Sequence, residues 1–106
     1  MSIQWLFEVI ESRKRNPSDQ SYTSGLFAGG LPKIAQKVGE EGTEVVVAAL
    51  AQDDRRLVEE VADLTYHTLV LLAARGLSVD EVLAELERRH KIKDSEGNPE
   101  KDSGGL

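Results

Sequence analysis

The chain contains no cysteine. Disulfides, thiolate metal sites and thiol nucleophiles are thereby excluded, and a cytoplasmic location is the expectation. Basic residues are also scarce. Lysine and arginine total 13 against 19 aspartates and glutamates, for a formal net charge of −6. A protein that holds nucleic acid through its phosphates needs a basic surface, so nucleic acid is not an expected partner. Apolar runs such as Leu69 to Ala74 fall far below the roughly 20 residues of a membrane helix, and no membrane partner is expected. The opening M-S-I-Q-W-L-F-E-V-I-E has no basic flank and is interrupted by Glu8 and Glu11, so it does not read as a signal peptide. Neither a Walker A loop nor a G-x-G-x-x-G stretch occurs, which removes the common glycine-rich phosphate cradles.

What is present is the composition of one folded domain: 106 residues, 40% hydrophobic and 30% charged, enough for a single core of modest depth. Ile3, Leu6, Phe7 and Ile10 recur at i, i+3, i+4 and i+7. They predict a helix over residues 2 to 14 with Ser2 as N-cap, its stripe widened by Trp5 and Val9. R-N-P-S-D-Q-S breaks it. A short helix from Tyr22 to Gly29, capped by Ser21 or Thr23, is expected to bury Tyr22, Leu26 and Phe27 and to stop at Gly29-Gly30. Pro32 suits the first turn of the next helix, which runs from Leu31 to Ala51 on the periodicity of Leu31, Ile34, Val38, Val45, Ala48 and Ala49. Gly39 and Gly42 weaken it, by about 1 kcal/mol each relative to alanine. They mark either a close backbone approach or simply solvated positions.

Asp53 or Asp54 caps a helix that runs to Arg75, with Leu57, Val61, Leu64, Thr68, Leu71 and Leu72 as its apolar stripe and Gly76 as its stop. Ser78 and Glu81 form a capping box for a last helix striped by Val79, Val82, Leu83 and Leu86. Residues 93–106 carry no apolar side chain before Leu106. Residues 1–92 are therefore assigned to one domain and 93–106 to a polar, flexible tail. No strand signal survives, and the fold class is all-α, a helical bundle of four to five helices. The helices are short, and from Leu69 onward one of them is apolar nearly all round. The bundle is expected to be completed by homodimerisation.

The chemistry lies between Lys37 and His67. Glu41 with Glu44, and Glu60 with Asp63, are two carboxylate pairs at i, i+3 spacing, each within roughly 5–6 Å at Cβ on one helix face. A-L-A-Q-D-D-R-R between them reads as a reversal. An antiparallel hairpin would bring the four carboxylates together, and like charges beside apolar surface are costly unless a cation neutralises them. Oxygen-only ligation selects a hard cation. A di-iron bundle needs Glu-x-x-His on two helices, whereas here Asp63-x-x-x-His67 is one residue too long and the preceding helix has no histidine. Either acidic pair alone would equally suit a solvated helix face. His67 reads first as a core histidine bonded to a carbonyl. Lys33 and Lys37, one turn before the acids, either pair with Glu40 and Glu44 or hold phosphates, and Arg88 and Arg89 are further candidate cations.

Four stretches together resemble a known family: S-Y-T-x-x-L at Ser21 to Leu26, K-I-A-Q-K-V-G-E-E at Lys33 to Glu41, E-V-V-V-A-A at Glu44 to Ala49, and E-V-A-D-L-T-Y-H-T-L-V-L-L at Glu60 to Leu72. They are similar to phosphoribosyl-ATP pyrophosphatase, within the all-α nucleoside triphosphate pyrophosphatases. The family's Glu-x-x-Glu … Glu-x-x-Asp metal motif falls on Glu41, Glu44, Glu60 and Asp63. The resemblance implies hydrolysis of phosphoribosyl-ATP to phosphoribosyl-AMP and pyrophosphate, the second step of histidine biosynthesis. It also implies Mg²⁺, with Mn²⁺ as substitute, and a dimer mixing helices of both chains. Glu40 or Glu41 would orient or deprotonate water, and Tyr22, Thr23, Lys33 and Lys37 would contact the nucleotide. Two alternatives stand beside it: a housecleaning pyrophosphatase of the same superfamily, and a non-catalytic dimerisation module. Gly42, Thr43, Thr65 and Thr68 depart from the expected bulkier, leucine-like residues.

Overall fold

The computed structural model describes the backbone of residues 1–96 and the side chains of residues 1–90. Its elements are all helical: α1 (Ile3–Arg15), α2 (Tyr22–Gly29), α3 (Leu31–Ala51), α4 (Asp54–Ala74) and α5 (Val79–Glu96). The all-α expectation therefore holds over the described residues. α5 continues to Glu96, past the boundary drawn at residue 92. The rest of the expected tail, 97–106, lies outside the described residues.

Capping side chains set the helix starts, because the first backbone N–H groups of a helix have no partner within it. Ser2 Oγ accepts from the Trp5 N–H at 3.0 Å. Ser21, not Thr23, caps α2 by accepting from the Ser24 N–H at 3.1 Å. Asp53, not Asp54, caps α4 at 2.8 Å from the Arg56 nitrogen. The Ser78–Glu81 box closes in both directions. The Ser78 N–H donates to the Glu81 carboxylate at 2.8 Å, and the Glu81 N–H donates to the Ser78 hydroxyl at 3.3 Å. At the end of α4, Gly76 takes φ 74°, and the Leu77 N–H reaches back to the Leu72 carbonyl at 2.9 Å, as in a Schellman stop.

α3 and α4 are joined through Gln52-Asp53 and pack along each other as the central hairpin. α1 and α2 cover it, and α5 packs on α1. The core comprises Phe7, Ile10, Leu26, Ile34, Leu69, Val70, Ala73 and Val79. Several stripe assignments change. Tyr22 is 59% exposed rather than buried, and Phe27 is only partly buried. Thr23 and Leu26, one turn apart, are the α2 residues turned inward, joined by Ser24. Leu31, Val61, Val82 and Leu86 are also exposed. α4 directs Leu69, Val70 and Ala73 into the core in their place, so its later, apolar half is its buried half. The threonine departures are absorbed by the helix ladder. Thr65 and Thr68 donate to the Val61 and Leu64 carbonyls, each at 2.8 Å, and Thr43 donates to Gly39 at 3.2 Å. Among the described residues no helix is long and apolar enough to cross a membrane.

The glycines give a prediction with two signs. Gly30 sits at φ 90°, ψ 166° between α2 and α3, a region that residues with a Cβ enter only with strain. Gly30→Ala should cost about 1–3 kcal/mol. At Gly39 and Gly42 an added Cβ meets nothing within 4 Å, so nothing among the described residues requires a close approach there. Gly39→Ala and Gly42→Ala should each stabilise by up to about 1 kcal/mol. Urea unfolding at fixed protein concentration reads all three. Destabilisation at both helix-interior positions would mean that a second chain packs against them.

Candidate active site

Glu41 occupies a position that periodicity reserves for the core. It lies seven residues after Ile34 and seven before Ala48, and seven residues come within about 20° of two full turns. All three share one stripe, and all three are buried. On α4, Glu60 and His67 repeat the pattern, seven apart and both buried. The hairpin turns these stripes toward each other. Glu41, Glu60 and Asp63 each offer an oxygen within 4.8 Å of the others. Asp63 is exposed, so the trio opens to solvent on one side.

Each buried glutamate carries a cation four residues before it. Lys37 Nζ is 3.5 Å from Glu41 Oε1, and the Arg56 guanidinium is 2.7 Å from Glu60 Oε1. Desolvation pulls the Lys37 pKa down, but Tyr22, the Glu41 hydrogen bond and the Glu41 and Glu40 charges outweigh it, and the net shift is upward. The Arg56 pKa is also raised, chiefly by its hydrogen bond to Glu59 and then by the Glu60 charge. The remaining oxygens, Glu41 Oε2 and Glu60 Oε2, are buried with no hydrogen-bond partner among the described residues. An unsatisfied buried polar atom costs on the order of 1–3 kcal/mol, and more when charged. The fold keeps two of them in one cluster. A divalent cation would partner both, and the all-oxygen donor set fits Mg²⁺ or Mn²⁺.

His67 is not a free ligand. Its Nδ1 is 2.7 Å from the Asp63 carbonyl oxygen. A carbonyl only accepts, so Nδ1 carries the proton. Nε2 then accepts from the Tyr22 hydroxyl at 2.8 Å. The reading of a core histidine bonded to a carbonyl holds, and a second partner ties α2 to α4.

The other expected site residues are spread around this centre. Glu44 lies outside the trio, about 60° round α3 from Glu41. It is exposed and lines a hollow with Val47, Gln52, Arg56 and Glu60. Glu40 is exposed and accepts from Gln36 Nε2 at 3.3 Å. Lys33 is exposed, while Lys37 belongs to the cluster through Glu41. Thr23 is buried and shares a short hydrogen bond with the Tyr66 hydroxyl. Arg88 and Arg89 both pair with Glu85, at 2.5 and 3.0 Å, and these two hydrogen bonds pull the Glu85 pKa down to about 2. Arg56 escaped the sequence reading. Its signal was the spacing: a basic residue four before the buried glutamate, as Lys37 stands to Glu41.

The model of the family described as phosphoribosyl-ATP pyrophosphohydrolase matches residues 4–90. The chain belongs to this family. A phosphoribosyl-ATP pyrophosphatase from Pyrobaculum calidifontis is 55% identical over 89 residues, covering 84% of this chain and 95% of that one. The protein of that name from Erythrobacter litoralis is 56% identical over 91 residues, 86% of this chain and 88% of its own. That from Lactiplantibacillus plantarum is 49% identical over 100 residues, 93% and 94% respectively. The phosphoribosyl-ATP pyrophosphohydrolase match contains the whole hairpin with Glu41, Glu60 and Asp63, together with α2.

Proposed function

We propose that the chain hydrolyses phosphoribosyl-ATP to phosphoribosyl-AMP and pyrophosphate, the second step of histidine biosynthesis. Mg²⁺, replaceable by Mn²⁺, would be held by Glu41, Glu60 and Asp63, with Glu44 beside them. The observation that carries this reading is the pair of buried, unpartnered oxygens, Glu41 Oε2 and Glu60 Oε2. They occur in a chain more than half identical to proteins named for that activity. A bound ion would neutralise triphosphate charge and lower the pKa of a coordinated water.

The chain's own side chains do the rest. The reaction forms one P–O bond from water and breaks one P–O bond of the α–β phosphoanhydride. Glu41 orients the water and receives its proton. Its burial within the acidic trio supports it over Glu40, which points about 100° away round the helix and bonds Gln36. Lys33 has no ion-pair partner among the described residues. Together with Lys37, one turn on, it holds phosphate oxygens. Tyr22 contacts the nucleotide with its hydroxyl held by His67. Thr23, buried behind it, supports that turn.

A homodimer belongs to the same proposal. Val46, Val47 and Leu50 on α3 and Val58 and Val61 on α4 are exposed. All five lie toward the hairpin end of the two helices, and large apolar side chains left exposed there are candidates for burial against a second copy. The test is pyrophosphate release by the purified chain, sized first by light scattering. A species of twice 11.6 kDa is expected to release pyrophosphate from phosphoribosyl-ATP with Mg²⁺ and to stop with EDTA. Turnover of dUTP or another nucleoside triphosphate, with none of phosphoribosyl-ATP, would move the activity to a housecleaning pyrophosphatase.

A further inference from the structure

A polar cavity of about 400 Å³ lies between the end of α1 and the start of α2, outside the acidic trio. Val9, Arg13, Ser18, Ser21, Tyr22 and Tyr66 are among its lining residues, and no carboxylate of the described residues lines it. In a chain of net charge −6, that is a local reversal of sign. Arg13 is exposed, and its guanidinium has no ion-pair or hydrogen-bond partner among the described residues. Its neighbour Lys14 is committed, with Nζ donating to the Ala73 carbonyl at 2.7 Å. Of the two acids on α1, Glu8 lines the neighbouring hollow, which Arg13 also borders, and Glu11 is among the lining residues of neither.

The hydroxyls of the cavity have donors to spare. Ser21 Oγ accepts from the Ser24 N–H, and Ser18 Oγ accepts from the Gln20 N–H. Acceptance leaves each O–H free to donate. Thr23 and Tyr66 share one hydrogen bond, and whichever of them accepts retains its own O–H. A planar guanidinium beside several hydroxyl donors, with no competing carboxylate, is a donor set for an anion with several oxygens.

The position of the cavity identifies the anion. Tyr22 lines the cavity and also bonds His67, and His67 bonds the backbone of Asp63. His67 alone therefore separates the cavity from the α4 side of the acidic centre. Phosphoribosyl-ATP carries phosphate at two ends: the triphosphate, and the monoester on its second ribose.

We infer that this cavity, with Arg13 at its rim, binds the phosphate monoester of the substrate while the triphosphate lies at Glu41, Glu60 and Asp63. The inference rests on the function proposed above. It makes Arg13 the residue that distinguishes phosphoribosyl-ATP from a plain nucleoside triphosphate.

The test is Arg13→Gln in the full-length chain, read in two ways. With phosphoribosyl-ATP and Mg²⁺, KM should rise about 10- to 100-fold, the scale of one lost charge-assisted hydrogen bond. kcat should stay within about twofold, since Arg13 stands away from the reacting anhydride. Thermal stability should not change, because the guanidinium has no partner to lose among the described residues. The second reading needs no turnover. Ribose 5-phosphate is titrated into metal-free protein and followed by amide NMR, with ribose as control. Shifts at Arg13, Ser21 and Tyr22 in the wild type, at least about 10-fold weaker in Arg13→Gln, support the site. An unchanged KM in an active Arg13→Gln enzyme overturns the inference and leaves the function standing. A wild type that does not hydrolyse phosphoribosyl-ATP overturns the function, and the titration then decides the anion site alone. Absent shifts, or shifts equal in the variant, overturn it.

Discussion

Glu60→Gln is expected to fold normally and to lower phosphoribosyl-ATP turnover by at least about 100-fold. Even outer-shell partners of a metal cost about 10- to 100-fold when removed, and Glu60 is proposed as a ligand itself. The substitution keeps the side chain's shape and an amide oxygen for Arg56, now 2.7 Å from Oε1. It removes one of three charges crowded within 4.8 Å. Arg56 is half-exposed and rehydrates cheaply when its partner becomes neutral. Without divalent cation the variant should therefore be at least as stable as the wild type. With Mg²⁺ the order should reverse. A ligand at 100 times its Kd stabilises by about 2.7 kcal/mol, and the variant should forfeit most of that gain. Asp63→Asn should behave alike. Thermal melts with and without Mg²⁺, alongside turnover, test both variants. Wild-type turnover of either at saturating Mg²⁺ would refute the metal assignment. A collapse of stability in the metal-free Gln variant would show instead that Glu60 is a structural partner of Arg56.

Ile34→Ala should cost about 2–5 kcal/mol, against about 0.5–1.5 kcal/mol for Ile34→Val. Ile34 is 1% exposed and belongs to the one continuous core. Its truncation leaves a cavity at the start of α3, which packs against α2 and α4. A domain of this size has only about 5–15 kcal/mol in hand, so the Tm should fall by about 10 °C or more. Glu41 lies two turns further along the same stripe, so looseness at Ile34 should also weaken Mg²⁺ binding. Urea unfolding must be run at fixed protein concentration, since the proposed dimerisation would make stability concentration-dependent. A cost below about 1 kcal/mol would mean that the first turns of α3 are not held by the core.

How far the chain could be read without coordinates depended on how local the signal was. Caps, stops and helix spans depend on residues three to five apart, and Ser2, Gly76 and the Ser78–Glu81 box act as their spacing predicts. The carboxylate motif was equally plain as spacing. Orientation was harder. A wheel groups Tyr22 with Leu26 and Val61 with Leu57, yet it cannot say how far round each helix the neighbours reach. Tyr22 and Val61 emerge exposed, while the two glutamates Glu41 and Glu60 go under. Glu44 shares the motif with Glu41 but stands apart from the trio, whereas Asp63, at the same i, i+3 step from Glu60, falls inside it; the way the two helices cross decides this, not the spacing.

By itself, then, the sequence determined the helical class, the helix limits and the acid-rich hairpin, since each follows from near-neighbour periodicity and from charges that must be neutralised. Only the tertiary structure decided which carboxylates share a centre and which oxygens lack partners. It alone pairs Tyr22 with His67 across 45 positions and leaves the Arg13 guanidinium without a partner among the described residues, beside a polar cavity. These are contacts between residues remote in the chain, and their distances depend on how the helices cross, which no local pattern encodes.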